Sequence, residues 1–283
     1  MSERRRALAA LAIAVTIWAG TFVVTKSVVG EFGPFTVLTA RFSIAFLCLV
    51  PFARRHGYKA RMSVQRSFVL FGLTGIVLHL GFETAGLLFT SASSASLVVA
   101  AIPGVTAGMS AVVLDERLRR SQWLGIALSI AGVAIVTQAR ASVGGAYELL
   151  GNALVFGGVI AWAVFTIQGK KMSTGGVSPL VATTAAAGGS LFFLVPLAAG
   201  ELFVGGMPEV TTQSLVAIAY LGIGASAVAF ALWNNALENV TASVAGAYIN
   251  LVPIIGLILA TIAGETITAV QVAGGAVAIG GFG

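Results

Sequence analysis

SASSASLVVAAIPGV, residues 91–105, returns as TASVAGAYINLVPII at residues 241–255, an offset of 150 (241 − 91). Ala92/Ala242, Ser93/Ser243, Ala95/Ala245 and Pro103/Pro253 keep their places between the two stretches. Small residues let helices approach closely, and a proline removes one backbone donor from a helix. A chain that writes such a segment twice contains two copies of one unit, and the echo extends to both sides. Trp18-Ala19 is matched by Trp162-Ala163 and Lys26 by Lys170, at an offset of 144 (162 − 18). Pro34 is matched by Pro179, and Glu116, Gln122, Gly125 and Gly132 by Glu265, Gln271, Gly274 and Gly281, 149 residues on (265 − 116).

The medium of this repeat follows from composition. Of 283 residues, 58% are hydrophobic and only 9% charged, against about 25% charged in a soluble domain. The mean hydropathy is +0.99. Too few polar residues are present to cover a globule, so the surface must face lipid. No polar block is long enough for a soluble domain, and residues 1–283 read as a single membrane domain with internal repeats of approximately 1–140 and 141–283. Cys48 stands alone in an apolar run, which leaves no internal disulfide and no thiol–metal site. The net charge of +6 sits in short loops, where it fixes orientation rather than binding nucleic acid. Arg4-Arg5-Arg6 and the apolar run after them imitate a secretory signal. The run is long and lacks an obvious cleavage site, so it reads as a retained first helix.

Apolar runs of about 20 residues, the length of a membrane crossing, predict ten spans. They fall near 8–28, 35–52, 67–88, 92–114, 122–138, 149–169, 179–199, 214–234, 242–262 and 270–282. With the N-terminus inside, the inner segments hold Arg4, Arg5, Arg6; Arg54, Arg55, Lys59, Arg61, Arg66; Arg117, Arg119, Arg120; and Lys170, Lys171. That is 13 of the 16 basic residues (3 + 5 + 3 + 2), a strong positive-inside bias. Both termini are then expected in the cytoplasm. Five spans per copy is an odd number, so the second copy enters the membrane upside down. The expected fold is all-α: a polytopic membrane protein with ten transmembrane helices in two inverted five-helix repeats. Inverted repeats are an architecture of secondary transporters, with the site between the halves near the midplane.

The motifs carry a resemblance. WAGTFVVTKSV (residues 18–28), Pro34 with Arg41, Phe42 and Ala45, SASSASL with Pro103, and LDERL (114–118) followed by Gln122 and Gly125 are similar to EamA-type members of the drug/metabolite transporter superfamily. TASVAG, Pro253 and GETIT (264–268) echo them in the second half. The likeness covers the whole chain and is greatest to YddG-type bacterial amino-acid exporters. It implies a multi-pass protein of the bacterial inner membrane, exporting aromatic and other neutral amino acids without a cofactor. Another metabolite or a drug is the alternative cargo. An intramembrane lipid-modifying enzyme is the rival class. It would need clustered acids, a metal motif or a nucleophile–base pair, and none is written here. The oligomeric state is left open, with a monomer compatible.

Intramembrane polar residues are the candidate site. His79 either contacts substrate or protons, or hydrogen-bonds a neighbouring helix. Glu83 either attracts an ammonium or pairs with Arg41 or Lys26 as a gate. Arg41 reads as snorkelling to the outer interface. Tyr248 and Asn250, beside Pro253, are expected to line the cavity, since their counterparts Val98 and Ala100 are apolar. Trp18 and Trp162 lie in mid-span, where an indole N–H needs a partner that a wet cavity would supply. Thr21 adds a hydroxyl to the cavity or bonds its own helix. Pro103 and Pro253 are expected as helix breaks next to the site, or as packing prolines only.

Overall fold

The computed structural model describes residues 3–113, 120–237, 240 and 248–280, and all regular structure among them is helical. Helix α1 (Glu3–Phe32) is followed after Gly33 by α2 (Pro34–Arg55). Gly33 has φ 77°, a conformation glycine tolerates without strain, and Pro34 opens the next helix with the φ it prefers. A short 3₁₀ turn (Ala60–Val64) leads to α3 (Arg66–Gly72), a π-helical segment (Leu73–Leu78) and α4 (His79–Gly86), which form one stacked span. Next come α5 (Ala92–Val99), α6 (Ile102–Val113), α7 (Arg120–Thr174) and α8 (Pro179–Gly205). A second stacked span consists of α9 (Thr212–Ala219), a π-helical segment (Tyr220–Val228) and α10 (Ala229–Leu237); α11 (Leu251–Ile262) and α12 (Ala269–Gly280) complete the order.

Among the described residues, seven helical stretches are long and apolar enough to cross a membrane. They correspond to the expected spans one to four and six to eight. The fifth is different. The sequence predicts a break near Arg140, yet α7 runs unbroken for 55 residues. Residues 120–174 contain no proline, and without one a helix can propagate through a polar junction. The ninth and tenth spans are represented by α11 and α12, of 12 residues each, too short to cross alone. Asp115, Glu116 and the TASVAG segment lie outside the described residues.

The helices exchange partners between the two halves of the sequence. Helix α1 packs on the span ending in α10 and on α11, while α7 packs on the span ending in α4 and on α5. Helices α2 and α8 lie against each other, and each also touches the third span of the opposite half. Close approach needs glycine at one crossing: a Cβ on Gly86 would fall 2.7 Å from the Gly151 carbonyl oxygen. Without water to be expelled, such packing is what holds helices together in lipid.

Contacts along the helices sort their ends into two faces. One gathers the N-terminus of α1, the turn at 56–65, the C-terminal ends of α7 and α10 and the start of α8. The other gathers Gly33, the 87–91 turn and the end of α8, where Glu201 accepts from the Phe35 and Thr36 amides at 3.1 and 2.7 Å. Glu265, after α11, does the same for Ala92 and Ser93 at 2.9 and 3.0 Å. Carboxylates at helix N-termini meet free amides and the positive end of the helix dipole.

Candidate functional site

Between the two faces lies a cavity of about 80 Å³, room for a few waters and well below the size of a ligand-filled site. Six of the residues singled out above line it: Trp18, Thr21, Arg41, His79, Glu83 and Trp162. The remaining wall is apolar, from Phe22, Leu80, Val99, Ile102, Phe230, Ile249 and Val252.

The backbone is irregular around this cavity. The π-helical segments end at Leu78 and Val228, 150 residues apart (228 − 78). Such segments leave carbonyls unpaired by their own helix. In the second segment the Trp18 indole N–H donates to the Ala225 carbonyl at 3.0 Å. The partner expected from a wet cavity is therefore a backbone group of the opposing helix. For the Trp162 indole no hydrogen-bond partner exists among the described residues; its ring lies 4.8 Å from the His79 imidazole and 5.1 Å from Phe165. Trp18 stacks obliquely on Trp233 at 5.1 Å and meets Phe230 edge-on at 5.2 Å.

Helix breaks flank the cavity. Helix α5 stops at Val99 and α6 begins at Ile102, so Pro103 sits in the first turn of a new helix, where its missing N–H costs nothing. Pro253 stands likewise in the first turn of α11. Neither ring lines the cavity. The residues one and four before each proline do: Ile102 and Val99, and Val252 and Ile249. The spacing from the repeated proline is the sequence signal for these four.

His79 bonds a neighbouring helix and also lines the cavity. Its Nδ1 lies 2.8 Å from the Gly158 carbonyl oxygen, while the ring also faces the cavity. Thr21 donates to its own helix at the Trp18 carbonyl, 2.6 Å away, and still reaches the wall. Arg41 corrects its reading. It does not snorkel to an interface: it is 4% exposed, and its Nε donates to Ser226 Oγ at 2.5 Å. Its guanidinium carbon also stands 5.5 Å from the Phe42 ring centroid. Glu83 is 8% exposed and forms no hydrogen bond or ion pair with Arg41 or Lys26.

Three residues lie elsewhere. Lys26 donates to the Leu87 carbonyl and, at 2.8 Å, to the Thr90 carbonyl. It caps the end of α4 on the face that holds Glu148 and Glu265, rather than gating the cavity. Tyr248 packs both on Ala7, Ala10 and Leu11 and on the cluster that holds Phe22, Val99 and Val252, beside the cavity without lining it. Asn250 is half-buried in the turn before α11 and does not reach the cavity. Their neighbour Ile249 takes the wall position, because consecutive residues on a helix point about 100° apart.

The EamA-like transporter family model matches residues 5–138 and again 149–283. Among curated proteins, the chain is 30% identical to an uncharacterized transporter of Archaeoglobus fulgidus, over 88% of this chain and 86% of that protein. It is 29% identical to a probable amino-acid metabolite efflux pump of Salmonella typhimurium, over 95% of this chain and 91% of the pump. A probable terminal-alkyne amino-acid exporter of Streptantibioticus cattleyicolor is 27% identical over 98% of this chain and 92% of its own length. A solved crystal structure shares the fold with a TM-score of 0.66 at 20% identity, over 98% of this chain and 94% of the other.

Proposed function

The chain belongs to the EamA-like transporter family, and from that premise we propose that it exports amino acids, neutral and aromatic ones foremost, across the bacterial inner membrane. The observation that carries the reading is the cavity itself: a charged and hydroxylated wall, lined with two tryptophans, buried at mid-depth in a membrane bundle. Buried charges facing a cavity mark a substrate path in a membrane protein. Two of the relatives are named for amino-acid efflux, which supports the cargo. No step calls for a cofactor or for enzymatic chemistry.

The mechanism proposed is alternating access between two inverted five-helix repeats, within 1–140 and 141–283. Three observations support it: the family unit occurs twice, the π-helical segments end 150 residues apart, and each half packs its first span on the third span of the other. Two copies facing opposite ways give two arrangements of similar energy, one open to each side. A second reading, export of a drug or another metabolite, draws support from the largely apolar remainder of the wall.

Purified protein in liposomes decides between them. Uptake of labelled neutral amino acids should saturate, while acidic and basic ones enter slowly. No saturable uptake of any amino acid would remove that cargo and leave the second reading.

A further inference from the structure

We propose that Arg41 and Glu83 clamp the two charged ends of one zwitterionic substrate, so that polar residues of the first half of the chain read the α-ammonium and carboxylate while the apolar wall built by both halves reads the side chain. The inference rests on the amino-acid reading and adds the groups that select for it.

The first support is an unspent pair of charges. Arg41 and Glu83 are both more than nine-tenths buried and both line the cavity, yet they are not paired with each other. The two attract across the cavity, but without a hydrogen bond between them buried charges remain costly. Arg41 spends Nε on Ser226, which fixes the guanidinium plane and leaves its terminal amino groups. Those groups match a carboxylate in two parallel hydrogen bonds. Glu83 is an acceptor for an ammonium. His79 supplies another: a carbonyl can only accept, so Nδ1 carries the proton in the bond to Gly158, and Nε2 of the neutral ring keeps a lone pair.

The second support is where the duplication fails. Apart from Phe22, which is matched by Thr166, the apolar wall residues recur in both halves: Trp18/Trp162, Leu80/Phe230, Val99/Ile249 and Ile102/Val252 all line the cavity. The polar ones do not recur. At the same offsets of 144, 145 and 150, Thr21 faces Phe165, Arg41 faces Ala186, His79 faces Ala229 and Glu83 faces Trp233. A polar residue needed by the scaffold would be expected twice. One needed by a lopsided ligand, charged at one end and apolar at the other, is needed once. A ligand with only one charge leaves either Arg41 or Glu83 buried without a partner, so the pair also rejects amines and acids.

The test uses the full chain in nanodiscs and calorimetric titration with three ligands that share one ring. L-phenylalanine has both charges, 3-phenylpropionate lacks the ammonium and 2-phenylethylamine lacks the carboxylate. Wild type should bind phenylalanine at least tenfold more tightly than either analogue. Glu83→Gln should narrow the gap between phenylalanine and 3-phenylpropionate to the few-fold preference that His79 sustains, and Arg41→Gln should make phenylalanine and 2-phenylethylamine equivalent. Should a variant fail to fold, the wild-type series alone decides. Equal binding of all three ligands overturns the clamp and leaves amino-acid export standing. No binding of phenylalanine or any other neutral amino acid overturns the export reading and the clamp together.

Discussion

The His79 imidazole is held by the Gly158 carbonyl through Nδ1, so a substitution can separate its structural bond from its cavity-facing nitrogen. Asparagine places an amide N–H near the position of Nδ1 and has nothing at Nε2. His79→Asn should keep the melting temperature within a few degrees while weakening phenylalanine binding several-fold; unchanged binding would reduce His79 to a helix fastener. Lys26 gives the opposite pattern. Its hydrogen bonds among the described residues go to the Leu87 and Thr90 carbonyls just after α4, and Lys26→Met leaves them without that donor. Each buried unsatisfied group costs about 1–3 kcal/mol, so thermal unfolding should shift down while the ranking of substrates stays as it is. The sequence shows how deep such residues lie but not which way they face. Trp18, Thr21, His79 and Trp162 are legible as mid-membrane polar or aromatic residues, and all four reach the wall. Arg41, read by depth alone, looks like an interfacial snorkeller. Its inward aim depends on Ser226, 185 positions away, which no local pattern reveals. Tyr248 is set likewise by distant packing, against α1 on one side and the Val99–Val252 cluster on the other.

Elements are legible where one apolar run ends in a polar break, which is why seven spans stand where the sequence predicts them. They become illegible where a helix is interrupted without a polar residue. The π-helical segments 73–78 and 220–228 hold no charge and no proline, and nothing in their hydropathy separates them from the helices on either side. The prolines predict breaks correctly, but the breaks fall just before them and present aliphatic residues to the cavity. At the face away from the α1 N-terminus the fastening is electrostatic. Glu265 accepts from the first amides of α5, and Gln271 Nε2 donates to Ser93 and Ser94 at 3.3 and 3.2 Å, tying the α11–α12 connection to the start of the helix that ends at Val99. Glu265→Ala should cost about 1–2 kcal/mol, the loss of a helix cap, seen as a lower melting temperature. Because α5 carries a cavity residue at its far end, the same variant should also weaken transport. Normal stability together with normal transport would show that the cap is dispensable.

At the scale of the whole molecule, charge and topology must agree. The face formed by the start of α1, the 56–65 turn and the end of α7 carries Arg4, Arg5, Arg6, Arg54, Arg55, Lys59, Arg61 and Lys171 against Glu3, whereas the opposite face carries Glu31, Glu148, Glu201, Glu209 and Glu265 against Lys26. By the positive-inside rule the basic face is expected in the cytoplasm. The unbroken α7 makes this worth measuring. A helix of 55 residues rises about 80 Å, far more than the ~30 Å of a hydrocarbon core, so its path decides how the second half is threaded. Inverted repeats require residues 56–65 and 206–211 to lie on opposite sides. In a Cys48→Ala background, Met207→Cys on intact cells should react with a membrane-impermeant thiol reagent, while Lys59→Cys should react only after permeabilisation. Met207 is 82% exposed, so access to the reagent reports its side of the membrane and not its burial. Labelling of both from outside would break the inverted arrangement, because it would put the two loops on one side. Labelling of Lys59→Cys alone would keep the repeat and reverse the molecule, placing the basic face outside against its charge.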